Sequence, residues 1–478
     1  MPSTSASREL ARPGADSNAK RAAKVADRIV EEVMARGWPV GEVLGSEAEL
    51  LEHFGVSRAV FREAVRLVEH QQVVRTRRGP GGGLIVIEPT MGAVTDAVVL
   101  YLHRVDARLD EIFEARIILE EIACLKACEV AEPDENDVAE LRLFVTGEHA
   151  AGYADPRDFH ALVASMSRNA GLELFVNVFN RVARLYSPGW KELGSGVGKE
   201  TRHAHAKIAE AILARDGALA RRRMGTHLRA EADFLQRRRT TRQLLPDSVV
   251  LAQSKDGKGA EAVARNITQT VMAEGLQPGD LVGTEPELME REGVSRALLR
   301  EAVRLLEYHQ IARMRRGPRG GLFVMAPSAD AITEVTAIFL ARRGMTLAQL
   351  LDLRAGVEVA IAGLAATRID EAGVSVLGEA LAHEEHAAAA ERVEAVHDLH
   401  AAVAQASQNR VLLLVALVLI RLSRLHQIER LAPKARRQIR AEVLRTHEKI
   451  AAAVEAGDVD LARRRMGRHL EALAALMR

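Results

Sequence analysis

Residues Gly55–Val86 read GVSRAVFREAVRLVEHQQVVRTRRGPGGGLIV, and residues Gly293–Val324 read GVSRALLREAVRLLEYHQIARMRRGPRGGLFV. The two stretches agree at 22 of 32 positions without a gap, at a constant offset of 238. Downstream the register slips slowly: His160 pairs with His400 at an offset of 240, and His205 with His447 and His227 with His469 at 242. A slip of four residues over about 170 implies an internal duplication of a whole half, not a shared short motif. The polar stretch 237–259, with Pro246, Ser254, Lys255, Asp256, Gly257 and Lys258, reads as the linker between the halves.

Composition narrows the class. At 478 residues the chain is too long for one continuous core. Hydrophobic residues make up 48% and charged residues 27%, an ordinary globular balance, while aromatics at 3% and recurring Ala, Leu, Arg and Glu favour helices. Lys+Arg 66 against Asp+Glu 65 leaves a formal charge of +1, so nucleic-acid binding requires a local patch. Cys124 and Cys128 are too few for a disulfide framework, and C-x-x-x-C is not a redox pair; they read as small core residues. The longest apolar run, Val411–Ile420, is ten residues, too short to span a bilayer. Residues 1–19 are Ser/Ala/Arg/Pro-rich without an apolar h-region, which suggests a flexible arm, not a signal peptide, and a cytoplasmic protein without a membrane partner.

Around the quoted stretch the pattern is helix, short helix, turn, helix. Val25, Ile29 and Val33 fall four apart and stop at Gly37; Val263, Ile267 and Val271 before Gly275 repeat this. A short helix around Glu47–His53 leads to Gly55-Val56-Ser57, where glycine suits a tight turn and Ser57 an N-cap. In the next helix Val60, Phe61, Ala64, Leu67 and Val68 form an apolar face, while Arg58, Arg62 and Arg66 share another. Residues 73–78 and 84–86 are β-rich and flank Gly79-Pro80-Gly81-Gly82-Gly83, a two-stranded wing with a basic tip. From Ser57 to Arg78 there are six arginines and two acids (Glu63, Glu69); from Ser295 to Arg316 there are six and two again (Glu301, Glu307). A near-neutral chain thus holds two equal patches of about +4, matched to phosphates and to guanine edges.

Gly41-x-x-Leu44, Glu47-x-x-Leu50, Gly55-Val56-Ser57-Arg58, Arg62-Glu63-Ala64 and the Arg-Arg-Gly wing resemble the winged helix-turn-helix of GntR-type transcription regulators. The second copy repeats the pattern at Gly279, Glu285, Leu288, Gly293-Val294-Ser295-Arg296 and Arg300-Glu301-Ala302. The resemblance implies DNA contacts by Ser57, Arg58, Arg62, Arg66, Arg77, Arg78 and Gly79, with counterparts Ser295, Arg296, Arg300, Arg304, Arg315, Arg316 and Gly317. Many relatives carry a further arginine after the glutamate of the short helix; here Ala48 and Pro286 stand there.

Residues 94–238 and 332–478 show long Ala/Leu/Val periodicity broken at Pro133, Pro156, Gly171, Gly217 and Gly457, as for antiparallel bundles of six or seven helices. In matching register lie His160, His205 and His227, and again His400, His447 and His469, three imidazoles per bundle suited to Zn, Ni or Fe, or to an anion pocket. This arrangement resembles the all-helical FCD effector domain of the FadR subgroup, through the Phe159-His160 segment, Asn169 and Asn409, His-x-x-Ile and Met-x-x-His-Leu. Arg116-x-x-Leu119-Glu120 and Arg354-x-x-Val357-Glu358 match that domain's early helix. The resemblance implies a small carboxylate effector, with Arg116, Asn169, Arg354 and Asn409 as effector-binding residues and a divalent metal held by three His and an Asp one turn before the first. Pro156 and Val396 occupy that last position, leaving a three-His site completed by water or ligand carboxylate, or a metal-free pocket for an acyl-type effector.

The expected architecture is mainly α: arm 1–19, winged helix-turn-helix 20–89, bundle 94–238, linker 239–258, winged helix-turn-helix 259–327 and bundle 332–478. The expected function is a ligand-responsive regulator, by family habit a repressor, whose halves form an intramolecular pseudo-dimer on a double-stranded operator, with room for further homodimerisation. Two alternatives are a metal-dependent hydrolase on the tri-histidine bundle and an effector-independent architectural DNA-binding protein. Against an enzyme, the chain shows no nucleophile elbow, H-E-x-x-H or phosphate loop, so no catalytic residue is expected.

Overall fold

The computed structural model describes residues 13–77, 79, 82–88, 90–147, 158–185, 195–237, 258–315, 317, 320–389, 398–425 and 433–476. The described residues form two compact units, 1–90 and 91–478. Most are helical, and none of their helices is long and apolar enough to cross a membrane.

The first unit contains α1 (Pro13–Ala35), β1 (Val43–Gly45), α2 (Glu47–Phe54), α3 (Arg58–His70), β2 (Val74–Arg77) and β3 (Gly83–Val86). Its core is built from Val25, Ile29 and Val33 of α1, Leu50 and Phe54 of α2, and Val60, Phe61, Ala64 and Val68 of α3. The turn between α2 and α3 depends on Gly55 at φ +61, a left-handed conformation costly for other residues; its N–H donates to Leu51 O. The strands pair antiparallel in the order β1-β3-β2, with Val74 opposite Val86 and Arg77 opposite Gly83. Helix α1 starts inside the segment expected to be a free arm. Pro13 opens it, at a position where a missing N–H has no helical partner to lose.

The second unit begins with seven described helices: α4 (Met91–Arg104), α5 (Leu109–Glu129), α6 (Glu135–Thr146), α7 (Phe159–Met166), α8 (Ala170–Leu185), α9 (Ser195–Leu213) and α10 (Gly217–Arg237). The winged-helix pattern then returns as α11 (Lys258–Ala273), β4 (Leu281–Gly283), α12 (Glu285–Glu292), α13 (Arg296–Tyr308), β5 (Ala312–Arg315) and β6 (Gly321–Val324), with sheet order β4-β6-β5. Seven more helices follow: α14 (Ala329–Arg342), α15 (Leu347–Arg368), α16 (Glu371–Ala389), α17 (Asp398–Ala406), α18 (Arg410–Leu425), α19 (Pro433–Glu455) and α20 (Val459–Leu476). The element order of both expected halves is therefore the same. The expected linker 239–258 falls outside the described residues except for Lys258, which starts α11. The break expected at Gly171 lies just before it, at Ser167-Arg168-Asn169, with Gly171 already in the first turn of α8.

One hydrophobic core runs through both bundles and the second winged helix. Cys124 and Cys128 are buried in it as free thiols, and burial pushes both thiol pKa values up. The bundles meet where α5 packs against α15 and α18, and α8 against α15. The polar contacts there draw on side chains of both bundles. Lys126 Nζ meets Asp352 at 2.9 Å, and Arg368 meets Glu114 at 2.7 Å. Asn169 Nδ2 donates to Gln349 O at 3.0 Å, and Asn409 Nδ2 to Glu111 O at 3.1 Å. The second winged helix is gripped from the first bundle: the two Nη atoms of Arg104 donate to the backbone oxygens of Gln310 and Met325.

Candidate functional site

Two kinds of site emerge. The first is an arginine face on each winged helix. Ser57 Oγ accepts the Val60 N–H at the start of α3, and Ser295 Oγ accepts that of Leu298 on α13, so each helix is capped and its first turn is presented. With one face of α3 buried, Arg58, Arg62 and Arg66 point outward, their side chains 70%, 65% and 74% exposed. Arg296, Arg300 and Arg304 are likewise exposed on α13. Glu47 lies 3.4 Å from Arg58 and 3.3 Å from Arg62, while Glu285 lies 3.5 Å from Arg296 and 3.3 Å from Arg300. Such exposed pairs contribute at most about 1 kcal/mol and are readily exchanged for phosphate, but they pre-orient the guanidiniums. Glu63 lies 2.9 Å from Arg66, whereas Glu69 accepts the Thr76 N–H and Glu307 that of Met314, tying each wing to its helix.

Gly79 (φ +96) and Gly317 (φ +120) lie at the wing tips in a backbone region that favours glycine. Arg77 and Arg315 are exposed on β2 and β5, and the Arg315 guanidinium lies 4.4 Å from the Phe323 ring centroid. Arg78 and Arg316 lie outside the described residues.

The second kind is a pair of tri-histidine centres. In the first bundle α7, α9 and α10 bring together His160, His205 and His227, with one ligand atom of each within 4.8 Å of the others. His205 Nε2 and His227 Nε2 are 3.2 Å apart, and the Phe159 ring stacks on His205 at 4.2 Å. In the second bundle α17, α19 and α20 supply His400, His447 and His469, which are 3%, 0% and 4% exposed. His469 Nε2 lies 3.1 Å from His447 Nε2 and 3.2 Å from His400 Nε2.

The outward nitrogens are held by buried carboxylates. His160 Nδ1 bonds to Glu120 Oε2 and His400 Nδ1 to Glu358 Oε2. Each of these acids is also held by an arginine one turn earlier, Arg116 Nε at 3.0 Å and Arg354 Nε at 2.6 Å. Burial opposes ionisation of Glu120 and Glu358, but their histidine and arginine partners outweigh it and lower both pKa values.

Burial lowers His227 to about 3 and His469 to about 2, with neighbouring imidazoles adding to the effect, so both are neutral at pH 7. Burial opposes charge on His160 too, yet Glu120 reverses the balance and raises its pKa. With Nδ1 protonated toward a carboxylate, Nε2 carries a lone pair. The single ring proton of neutral His469 can fill only one of its two N···N contacts. A tetrahedral ion with Zn–N of about 2.0–2.1 Å places its nitrogens about 3.3 Å apart, close to the spacings here. The donor set fits a divalent cation.

Comparison with known proteins bears on both sites. Residues 21–83 match the bacterial regulatory proteins of the gntR family, and residues 111–230 and 349–472 each match the FCD domain, the two FCD matches alone taking in just over half of the chain. The Uxu operon transcriptional regulator of Escherichia coli K12 is 30% identical over 39% of this chain and 76% of that protein. The chain belongs to the gntR family, with FCD domains. The Uxu operon regulator of Haemophilus influenzae is 26% identical over 42% of this chain and 77% of its own length. A solved Streptococcus agalactiae GntR structure aligns over 45% of this chain and 99% of its own, at 22% identity and a TM-score of 0.33. These relatives are transcription regulators, not enzymes, and this gntR-family chain is a DNA-binding regulator with a winged helix-turn-helix.

Within the regulator, the six expected histidines converge as two sets of three. Asn169 and Asn409, to which the resemblance gave effector binding, cap helices and bridge the bundles. Asn169 Oδ1 accepts the N–H groups of Gly171 and Leu172, and Asn409 Oδ1 those of Val411 and Leu412, capping α8 and α18. Their amide nitrogens donate across to the opposite bundle, so both asparagines belong to the junction. Arg116 and Arg354 are buried beside the histidine sets, Arg116 between Glu120 and Glu231 and Arg354 between Glu358 and Ser423. The resemblance placed these arginines and glutamates in one motif but did not reveal their pairing or the histidine partners. Glu384, whose Oε2 accepts from His447 Nδ1 at 2.7 Å, was missed. Pro156 and Val396 lie outside the described residues.

Proposed function

We propose that the chain is a ligand-responsive repressor acting in the cytoplasm, whose two halves arose by tandem duplication and form an intramolecular pseudo-dimer on a two-half-site operator. The reciprocal junction carries this reading. In a two-fold interface, contact i–j implies contact j–i. Asn169–Gln349 mirrors Asn409–Glu111, at offsets of 240 and 238, and the corresponding acids Glu114 and Asp352 each meet a cation of the opposite bundle, Arg368 and Lys126, which stand one helical turn apart in register. One polypeptide thus supplies what separate subunits of a dimer supply, and the concentration-dependent association step disappears.

The three histidines of each bundle would hold a divalent cation, Zn, Ni or Fe, leaving a position for a carboxylate effector; without metal the same pocket would take an acyl-type effector. When bound, the cation supplies a Lewis-acidic coordination position; Glu120 and Glu358 orient the imidazoles, and Arg116 and Arg354 hold those acids in place. Ligand binding in the bundles alters DNA affinity, with direct base contacts by Arg58, Arg62, Arg296 and Arg300. The halves differ at Gly81 against Arg319 and His70 against Tyr308, so the operator is imperfectly symmetric.

The test is to select a binding sequence from random duplexes and weigh the complex by sedimentation. One chain of 52.1 kDa per duplex with two protected half-sites is expected; two chains on the minimal site would overturn the pseudo-dimer. Thermal shift with carboxylates, acyl-CoAs and metals, followed by DNA titration with whatever binds, tests the effector role. Ligand binding that leaves operator affinity unchanged would refute it.

A further inference from the structure

The second tri-histidine set includes a carboxylate to which the function proposed above gives no role. Glu384 sits on α16, a helix that contributes none of the three imidazoles, and is 6% exposed. Its oxygens have separate partners. Oε1 accepts the Leu399 backbone N–H at 2.9 Å, in the first turn of α17 beside His400. Oε2 accepts from His447 Nδ1 at 2.7 Å, on α19. One side chain thus joins the start of the helix carrying His400 to the imidazole of His447.

An ionised carboxylate offers only acceptors, so the bond to His447 requires the imidazole proton to reside on Nδ1. The Nε2 lone pair is then left facing His469 Nε2, 3.1 Å away. We infer that Glu384 is the positioning residue of the second centre: it locks His447 in the Nδ1–H tautomer and so presents Nε2 to a divalent cation. This rests on the reading that the tri-histidine sets hold metal, and adds which side chain sets the tautomer. Glu358 plays a like part for His400, but it also pairs with buried Arg354, so its replacement would strand a guanidinium. Glu384 is therefore the better probe.

Glu384→Gln keeps shape and volume. Its amide oxygen can still accept the Leu399 N–H, which turns the amide NH2 toward His447 Nδ1. That donor forces the ring proton to Nε2, into the cluster, and removes one ligand lone pair without removing a ligand. The experiment uses the full chain carrying His205→Ala and His227→Ala, so that only the second set remains, with and without Glu384→Gln. Zn2+ and Ni2+ are titrated against a chromophoric chelator, and imidazole nitrogen shifts of the metal-free protein report the His447 tautomer.

Glu384→Gln is expected to weaken metal binding about 10- to 100-fold, a typical loss for a group behind a metal ligand, and to move the His447 proton to Nε2. Equal affinity in a folded variant, or an Nδ1 proton in both proteins, would overturn the inference. If the parent with His205→Ala and His227→Ala binds neither metal, the metal reading fails by itself, and the nitrogen spectra still decide the role of Glu384. If Glu384→Gln does not fold, a parent spectrum with the His447 proton on Nε2 refutes the lock, and one with it on Nδ1 supports it.

Discussion

Replacing Asn169 and Asn409 by alanine, one at a time, separates a role at the junction from a role in the effector pocket. Asn169→Ala removes an N-cap, about 1 kcal/mol, and one neutral hydrogen bond to Gln349 O, worth about 1 kcal/mol more. Asn409→Ala removes the same two contributions and also a bond to the Glu114 carboxylate at 2.8 Å. Bonds to charged groups contribute about 1.5–3 kcal/mol, and the lower end applies because Glu114 keeps its pair with Arg368. The expectation is about 2 kcal/mol lost for Asn169→Ala and between 3 and 4, roughly, for Asn409→Ala. Urea unfolding followed by far-UV circular dichroism measures this, taking the transition of the helical bundles, since a chain of two units need not unfold in one step. Losses below about 0.5 kcal/mol in both variants, combined with loss of effector binding, would return the asparagines to the pocket and refute the reasoning.

The remaining predictions concern DNA and pH. Arg58→Ala and Arg300→Ala should each weaken operator binding by about 1–3 kcal/mol, as for a bidentate base contact, measured by gel retardation at fixed salt; unchanged affinity in both would remove that face from the interface. In metal-free protein, burial holds His227 at about 3 and His469 at about 2 when folded, against 6.5 in the reference state. Unfolding then takes up protons on acidification, so stability falls below pH 6.5 with a slope for each group that approaches about 1.4 kcal/mol per pH unit toward pH 5, and buried His400, also lowered, acts in the same direction. His160, whose pKa is raised, works in the opposite sense near pH 6.5, where the folded form holds the proton more firmly than the unfolded one. Urea midpoints that rise on acidification would contradict this.

Periodicity and turn chemistry exposed what depends on neighbours in the chain. The apolar face of α3, the left-handed Gly55, the caps at Ser57 and Ser295 and the wing hairpins are all local, and the repeat doubled each signal. Strand β1 escaped because three residues cannot establish an alternation; it exists by pairing Val43 with Ile85. The histidines were found because their register recurs, whereas Glu384 reaches His447 across 63 residues and only folding brings them together. Asn169 and Asn409 drew an effector role from resemblance. An asparagine that caps one helix and bridges to another cannot be told from a pocket asparagine by spacing alone.

The hold of Arg104 on the second winged helix has an evolutionary side. Both acceptors are main-chain oxygens, at Gln310 and Met325. Side chains in the second reading head can therefore drift toward a new DNA sequence without touching this anchor. The module is free to change what it recognises while an arginine of the first bundle, together with the shared core, keeps it moored.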